Sequence, residues 1–111
     1  MSVLAEFFSG LEGFEWDEGN SDKSWRRHTV RQGEAEQTLM NRPVLVALDF
    51  KHSHQEPRFI ALGRTDARRG LAIVFTVRGT RVRVISARPM SQTERRIYDQ
   101  AQAKARSEAD S

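Results

Sequence analysis

The chain is predicted to fold as an α+β domain, and three observations carry that reading. Between Val44 and Arg88 apolar residues recur in short runs, mostly with the period of two that a strand requires, separated by turn-forming stretches. Helix signals stand on either side, at Gly33–Met40 and again after Pro89. With 111 residues, 38% hydrophobic and 30% charged, the chain suits one core and one domain. The expected architecture is an antiparallel sheet of about four strands, with helices packed on one face and a helix closing the C-terminus.

From the N-terminus, residues 2–9 read as a short helix ending near Gly10, and Phe14, Glu15 and Trp16 alternate as a short strand would. Asp17 can cap a helix running to about Arg27, anchored by the apolar Trp25. A second helix spans Gly33–Met40 and stops at Asn41, Arg42 and Pro43, because proline disfavours helical backbone in the residue before it.

Val44–Leu48 is the next strand, and the polar run Lys51–Glu56 is a loop. In Arg58–Arg64, Arg58, Ile60, Leu62 and Arg64 share one face while Phe59, Ala61 and Gly63 share the other; Thr65–Gly70 then turns the chain. Leu71–Val77 is apolar on both faces, as a central strand is. Arg78, Gly79 and Thr80 form a tight turn into Arg81–Arg88, where Val82 and Val84 oppose Arg81, Arg83 and Ile85. Ser91 and Glu94 have capping-box spacing, so a helix runs from Gln92 to about Ala105 with Ile97, Tyr98 and Ala101 on one side, and residues 107–111 fray.

Composition excludes several functions. With no cysteine there is no disulfide framework, no thiolate metal site and no cysteine nucleophile. The N-terminal stretch lacks a basic leader region and an apolar run long enough to span a membrane, which gives a cytoplasmic address. Asp49, His52, His54 and Glu56 lie in a loop at irregular spacing and read as solvated, so no metal and no cofactor is expected.

Charge is divided along the chain. Residues 1–20 hold five acids and no Lys or Arg, whereas residues 58–96 hold ten arginines against two acids, Asp66 and Glu94. Fifteen of the eighteen cations are arginine. A planar guanidinium binds phosphate through two parallel hydrogen bonds, so arginine carried on strands points to a bound polyanion. The competing use of those arginines is ion pairing with Asp17, Glu18 or Glu94.

Five ordered blocks then carry a family likeness: Phe14-Glu15-Trp16-Asp17, Arg27-His28, Arg58 to Arg64, Arg83 to Arg88, and Glu94-Arg95-Arg96 followed by Tyr98. Together, over about residues 14–98, they resemble the BrnT toxins. The resemblance implies a RelE-like fold and a small endoribonuclease, the toxin of a type II toxin–antitoxin pair. Its partner would be a BrnA-like antitoxin with a ribbon-helix-helix domain, through which the pair would contact operator DNA and repress its own operon. It also implies a toxin domain over residues 13–106, with residues 1–12 an N-terminal extension. Members commonly carry Lys-His-Gly where Arg27, His28 and Thr29 stand, and a lysine where Asn20 sits. The missing cation favours a second reading, a catalytically weak RNA-binding or co-repressor module.

RNA cleavage without a metal needs a base for the 2′-hydroxyl, donors for the charge that develops on phosphate, and an acid for the leaving 5′-oxygen. His28 is the first candidate for acid/base work, its neighbours Arg26 and Arg27 favouring the neutral imidazole. Arg64, Arg83 and Arg88, at positions matching the family blocks, are candidates for phosphate contact, with Glu94 and Tyr98 completing the catalytic set. Arg27, Arg58, Arg81, Arg68 and Arg69 are expected to bind RNA, the last two by steering it from a turn. Trp25 is the candidate antitoxin anchor.

Overall fold

The computed structural model of the chain describes residues 2–3, 12–17, 28–49, 51 and 56–110. They form a six-stranded sheet and two helices. The strands are β1 (Ser2–Val3), β2 (Gly13–Glu15), β3 (Leu45–Leu48), β4 (Phe59–Arg64), β5 (Gly70–Arg78) and β6 (Arg81–Pro89). The helices are α1 (Gln32–Met40) and α2 (Gln92–Asp110). Strand order across the sheet is β1-β3-β4-β5-β6-β2.

The expected meander is present: β3, β4, β5 and β6 pair antiparallel in chain order. Gly79 makes the tight turn from β5 to β6 possible, because it takes φ +62, a left-handed backbone that costs glycine little. Two short edge strands enlarge the sheet beyond the four expected. β1 pairs antiparallel with β3, and β2 pairs parallel with β6, so the sheet is mixed. The outer strands of a meander leave a row of unpaired N–H and C=O groups, and these two segments satisfy part of it.

The two helices do not share a face, contrary to expectation. Val46, Ala61, Ile73, Phe75, Val82, Val84 and Ala87 point one way and pack with Ala35 and Leu39 of α1. Their strand neighbours Leu45, Leu62 and Ala72 point the other way and pack with Met90 and with Tyr98 and Ala101 of α2. A strand pair that is apolar on both sides, as β4 and β5 are, needs cover on both. On the α1 side the helix sits directly on β4: a Cβ at Gly63 would stand 2.8 Å from the Thr38 carbonyl oxygen. Trp16 ties the N-terminal segment to the same helix, its indole N–H donating to Glu36 at 3.0 Å.

Other boundaries differ as well. Ser2 and Val3 are strand, not helix, and residues 4–9 of the expected N-terminal helix lie outside the described residues. So does the helix expected from Asp17 to about Arg27, beyond Asp17 itself, including Trp25 and Arg27. The C-terminal helix continues past Ala105 to Asp110, where fraying was expected from residue 107.

Candidate functional site

The α2 side of the sheet carries the arginines, and a β-bulge determines which of them share it. Val74 pairs with Ser86 but Phe75 pairs with Val84, so Ile85 is an extra residue in β6. Before the bulge, Val82 and Val84 face α1 and Arg81 and Arg83 face away. After it the parity reverses: Ala87 faces α1, and Arg88 joins Arg83 on the opposite face. Strict alternation would have sent Arg88 into the core.

Arg83 is gripped by two carboxylates, Glu15 of the edge strand beside it and Asp17 just past that strand's end. Glu15 is its register partner in β2, so the two side chains share a face. The guanidinium donates to Glu15 at 3.2 Å and to Asp17 at 2.7 and 3.3 Å, with only 17% of the side chain exposed. The hydrogen bond to Asp17, with its charge and that of Glu15, raises the guanidinium pKa above its ordinary value. Arg78 extends the cluster, reaching Glu15 at 3.5 Å and Glu56 at 3.3 Å.

Arg88 and Glu94 form a two-pronged pair, at 2.6 and 2.8 Å. Glu94 also accepts the Ser91 N–H at 2.8 Å while the Ser91 hydroxyl accepts the Glu94 N–H at 3.2 Å, which completes the capping box read from the sequence. The same carboxylate therefore starts α2 and holds Arg88. The bond from Arg88, followed by that from Ser91, lowers the Glu94 pKa below the usual carboxylate range, and Glu94 in turn raises that of Arg88. Beside this pair lies a shallow depression of about 510 Å³, floored by Ile60, Val74 and Ile85 and rimmed by Arg58, Ser86 and Arg88.

The remaining candidates are dispersed. Arg64 shares the α2 side but lies on β4, two strands from Arg88, or about 10 Å at ordinary strand spacing. Its guanidinium stacks over the Tyr98 ring, 5.2 Å from the centroid, and pairs with Asp99 at 3.3 Å. Tyr98 is 2% exposed and its hydroxyl donates to the Pro43 carbonyl at 2.7 Å. Burial, the leading cause, raises its pKa.

His28 stands with Arg69 and Glu34 on the α1 side. Its backbone carbonyl accepts from Arg69 at 3.3 Å, and no contact among the described residues joins it to Arg64, Arg83, Arg88 or Glu94. Arg69 itself is occupied, donating to the Thr29 carbonyl at 2.9 Å and to Glu34 at 3.2 Å. Arg81 and Arg68 are exposed, the first at the start of β6 and the second in the β4–β5 turn. Among the described residues no group of three or more His, Cys, Asp or Glu is placed to hold a metal ion, and no helix is long and apolar enough to cross a membrane.

Sequence reasoning missed Glu15 as a partner of Arg83, and placed Asp17 chiefly as a helix cap. The signal was present: Glu15 and Asp17 stand two apart in the first family block, the spacing that puts strand side chains on one face. Asp99, the partner of Arg64, carried no such signal.

Among curated proteins none matches the chain. A family model described as the ribonuclease toxin BrnT of type II toxin–antitoxin systems matches residues 16–94, a span that contains Asp17, Arg58, Arg64, Arg83, Arg88 and Glu94. With most of its length and nearly all of the arginine-bearing face inside that match, the chain belongs to the BrnT family of type II ribonuclease toxins.

Proposed function

We propose that this chain is a metal-independent endoribonuclease of RelE-like architecture that acts in the cytoplasm. A BrnA-like ribbon-helix-helix antitoxin holds it inactive, and the two repress their operon together. The observation that carries the reading is the half-open α2 side of the sheet, where Arg58 and Arg88 rim an apolar floor, Arg83 stands on the same face of β6, and Arg83 and Arg88 are each oriented by carboxylates. Guanidiniums fixed in this way are prepared for the two-point contact that a phosphodiester makes.

In this scheme a base at the Arg88 end, Glu94 or a water it orients, takes the proton of the RNA 2′-hydroxyl. Glu94 suits the part because it is held ionised, although the same pairing weakens its basicity. The 2′-oxygen bonds to phosphorus, Arg83 and Arg88 hold the charge that gathers on the non-bridging oxygens, and the bond from phosphorus to the 5′-oxygen breaks as that oxygen takes a proton from water. The products are a 2′,3′-cyclic phosphate and a free 5′-hydroxyl.

The test is cleavage of free RNA by the purified chain in EDTA, with product ends mapped and Arg83→Ala, Arg88→Ala and His28→Ala prepared in parallel. Cyclic-phosphate products that disappear in both arginine variants support the scheme. A loss confined to His28→Ala would move the chemistry to the α1 side.

One observation favours a second reading. Arg83, Arg88 and Arg64 each have a carboxylate partner, as in a basic surface braced by internal ion pairs. A chain that binds RNA or antitoxin yet cuts nothing would be the co-repressor module instead.

A further inference from the structure

On the far side of the C-terminal helix from the Arg88 depression lies a second basic groove, of about 390 Å³. Its base is Arg64 lying on Tyr98, and its walls are the α1–β3 connection, the β4–β5 turn and the third and fourth turns of α2. Arg42 stands in one wall with its guanidinium donating to the carbonyls of Leu39, Met40 and Asn41 at 3.0 to 3.2 Å, so it closes the end of α1. The acid in the groove, Asp66, accepts from Asn41 at 3.0 Å.

Two arginines on facing walls are differently placed. Arg68, from the turn, and Arg106, from α2, are both exposed, and among the described residues neither side chain has a hydrogen bond or ion pair. Arg68 also takes φ +65, a left-handed backbone rarely found outside Gly, Asn and Asp. Strain of this kind, kept at a turn where glycine would relieve it, is a reason to look for a ligand at that side chain. Gln102 adds a carboxamide to the same wall of α2.

We propose that this groove takes one phosphodiester of single-stranded RNA outside the cleaved bond, with Arg68 and Arg106 closing on the phosphate from opposite walls. The assignment rests on the ribonuclease reading for the identity of the polyanion. RNA fits better than an acidic peptide, because two planar guanidiniums serve the phosphate while Gln102 offers a donor and an acceptor to a sugar or base edge. Since α2 lies between this groove and the Arg88 depression, only an oligonucleotide long enough to pass the helix can use both. The groove therefore adds affinity for long substrates and nothing for a dinucleotide.

The experiment measures binding of a 5′-labelled dodecanucleotide blocked by 2′-O-methylation, across a salt series, with the full chain. It compares wild type, Arg68→Gln with Arg106→Gln, and a control pair of equal charge change, Arg95→Gln with Arg96→Gln, exposed on α2 outside the groove. The expected result is a loss of about fivefold or more in affinity for the groove variant, and a log–log salt slope shallower by about 0.7, the share of one single-strand phosphate. The control pair changes both by less than half as much.

Unaltered affinity and slope in the groove variant, an equal loss in the control pair, or no binding by wild type overturns the proposal. So does a groove variant that keeps RNA affinity but loses the antitoxin, which would make the groove a protein surface. Cleavage of unmodified RNA is read separately. RNA that wild type binds but does not cut defeats the ribonuclease reading and leaves the groove, whereas normal cleavage with an unaltered groove variant defeats only the groove.

Discussion

The two sides of this sheet are built from the same strands and obey different rules. On the α1 side Val46, Ala61, Ile73, Phe75, Val82, Val84 and Ala87 are apolar and at most 3% exposed, under a helix set against the backbone at Gly63. On the α2 side an apolar patch of Leu45, Leu62, Ala72, Met90 and Tyr98 covers one end, and beyond it the same strands present Arg58, Arg78, Arg83 and Arg88. Fold and site are thus divided by strand parity rather than by region of sequence. Adjacent residues should then answer to different measurements.

The largest expected effect tests that division directly, by placing one side chain at two neighbouring positions of β6. Ala87→Arg puts a guanidinium into the packed α1 side and should cost about 4 kcal/mol or more in a urea titration, enough to unfold much of the population. Ser86→Arg, one residue earlier on the half-open side, should change stability by less than about 1 kcal/mol. Similar losses at both positions would mean that the bulge at Ile85 does not set the parity described here. Gly63→Ala is next in size. Its methyl would meet the Thr38 carbonyl, a backbone atom that cannot rotate away, and the cost should be about 1 to 3 kcal/mol with Tm lowered to match.

The α1 side was the more legible in sequence because burial enforces a pattern. Alternation grouped Phe59 with Ala61 and Val82 with Val84 correctly, and double-sided apolarity marked β5 as central. Two features escaped for physical reasons. A bulge inserts one residue without a composition signal, so the common face of Arg83 and Arg88 had to await the pairing register. The edge strands β1 and β2 are two and three residues long, too short for periodicity to show, and their pairing is decided by the free edges they meet. The arginines were legible as a group, but their carboxylate partners were not, apart from Asp17 and Glu94, because ion pairs between distant segments leave no local mark. The capping box was legible at Ser91 and Glu94, and its second duty toward Arg88 was not.

That double duty gives the third prediction, on the α2 side. Glu94→Gln keeps the shape and some capping but removes the charge that binds Arg88, and should cost about 1 to 2 kcal/mol at neutral pH after allowance for the exposed guanidinium. Because the folded carboxyl is more acidic than its unfolded counterpart, its contribution is present above the ordinary glutamate range near 4.3. The contribution is lost as pH falls through the lower folded value. Wild type should therefore lose stability on acidification more steeply than Glu94→Gln, and parallel acid limbs would mean that the pair contributes nothing measurable.

The smallest effect concerns the apolar end of the same side, where Tyr98 docks α2. Tyr98→Phe keeps the ring, and with it the contact beneath Arg64, and deletes only the hydroxyl bond to the Pro43 carbonyl. The loss should be about 1 kcal/mol, the usual worth of one neutral hydrogen bond. The phenol holds its proton more tightly in the folded chain than in the unfolded one, so its share of stability is intact below the ordinary phenol range near 10 and falls as pH rises through the folded value. Tyr98→Phe should accordingly flatten the alkaline limb as Glu94→Gln flattens the acid one. A loss well above 2 kcal/mol would mean that α2 is held chiefly by this one bond and little by the apolar patch, and the two sides of the sheet would then differ in how they are fastened as well as in what they display.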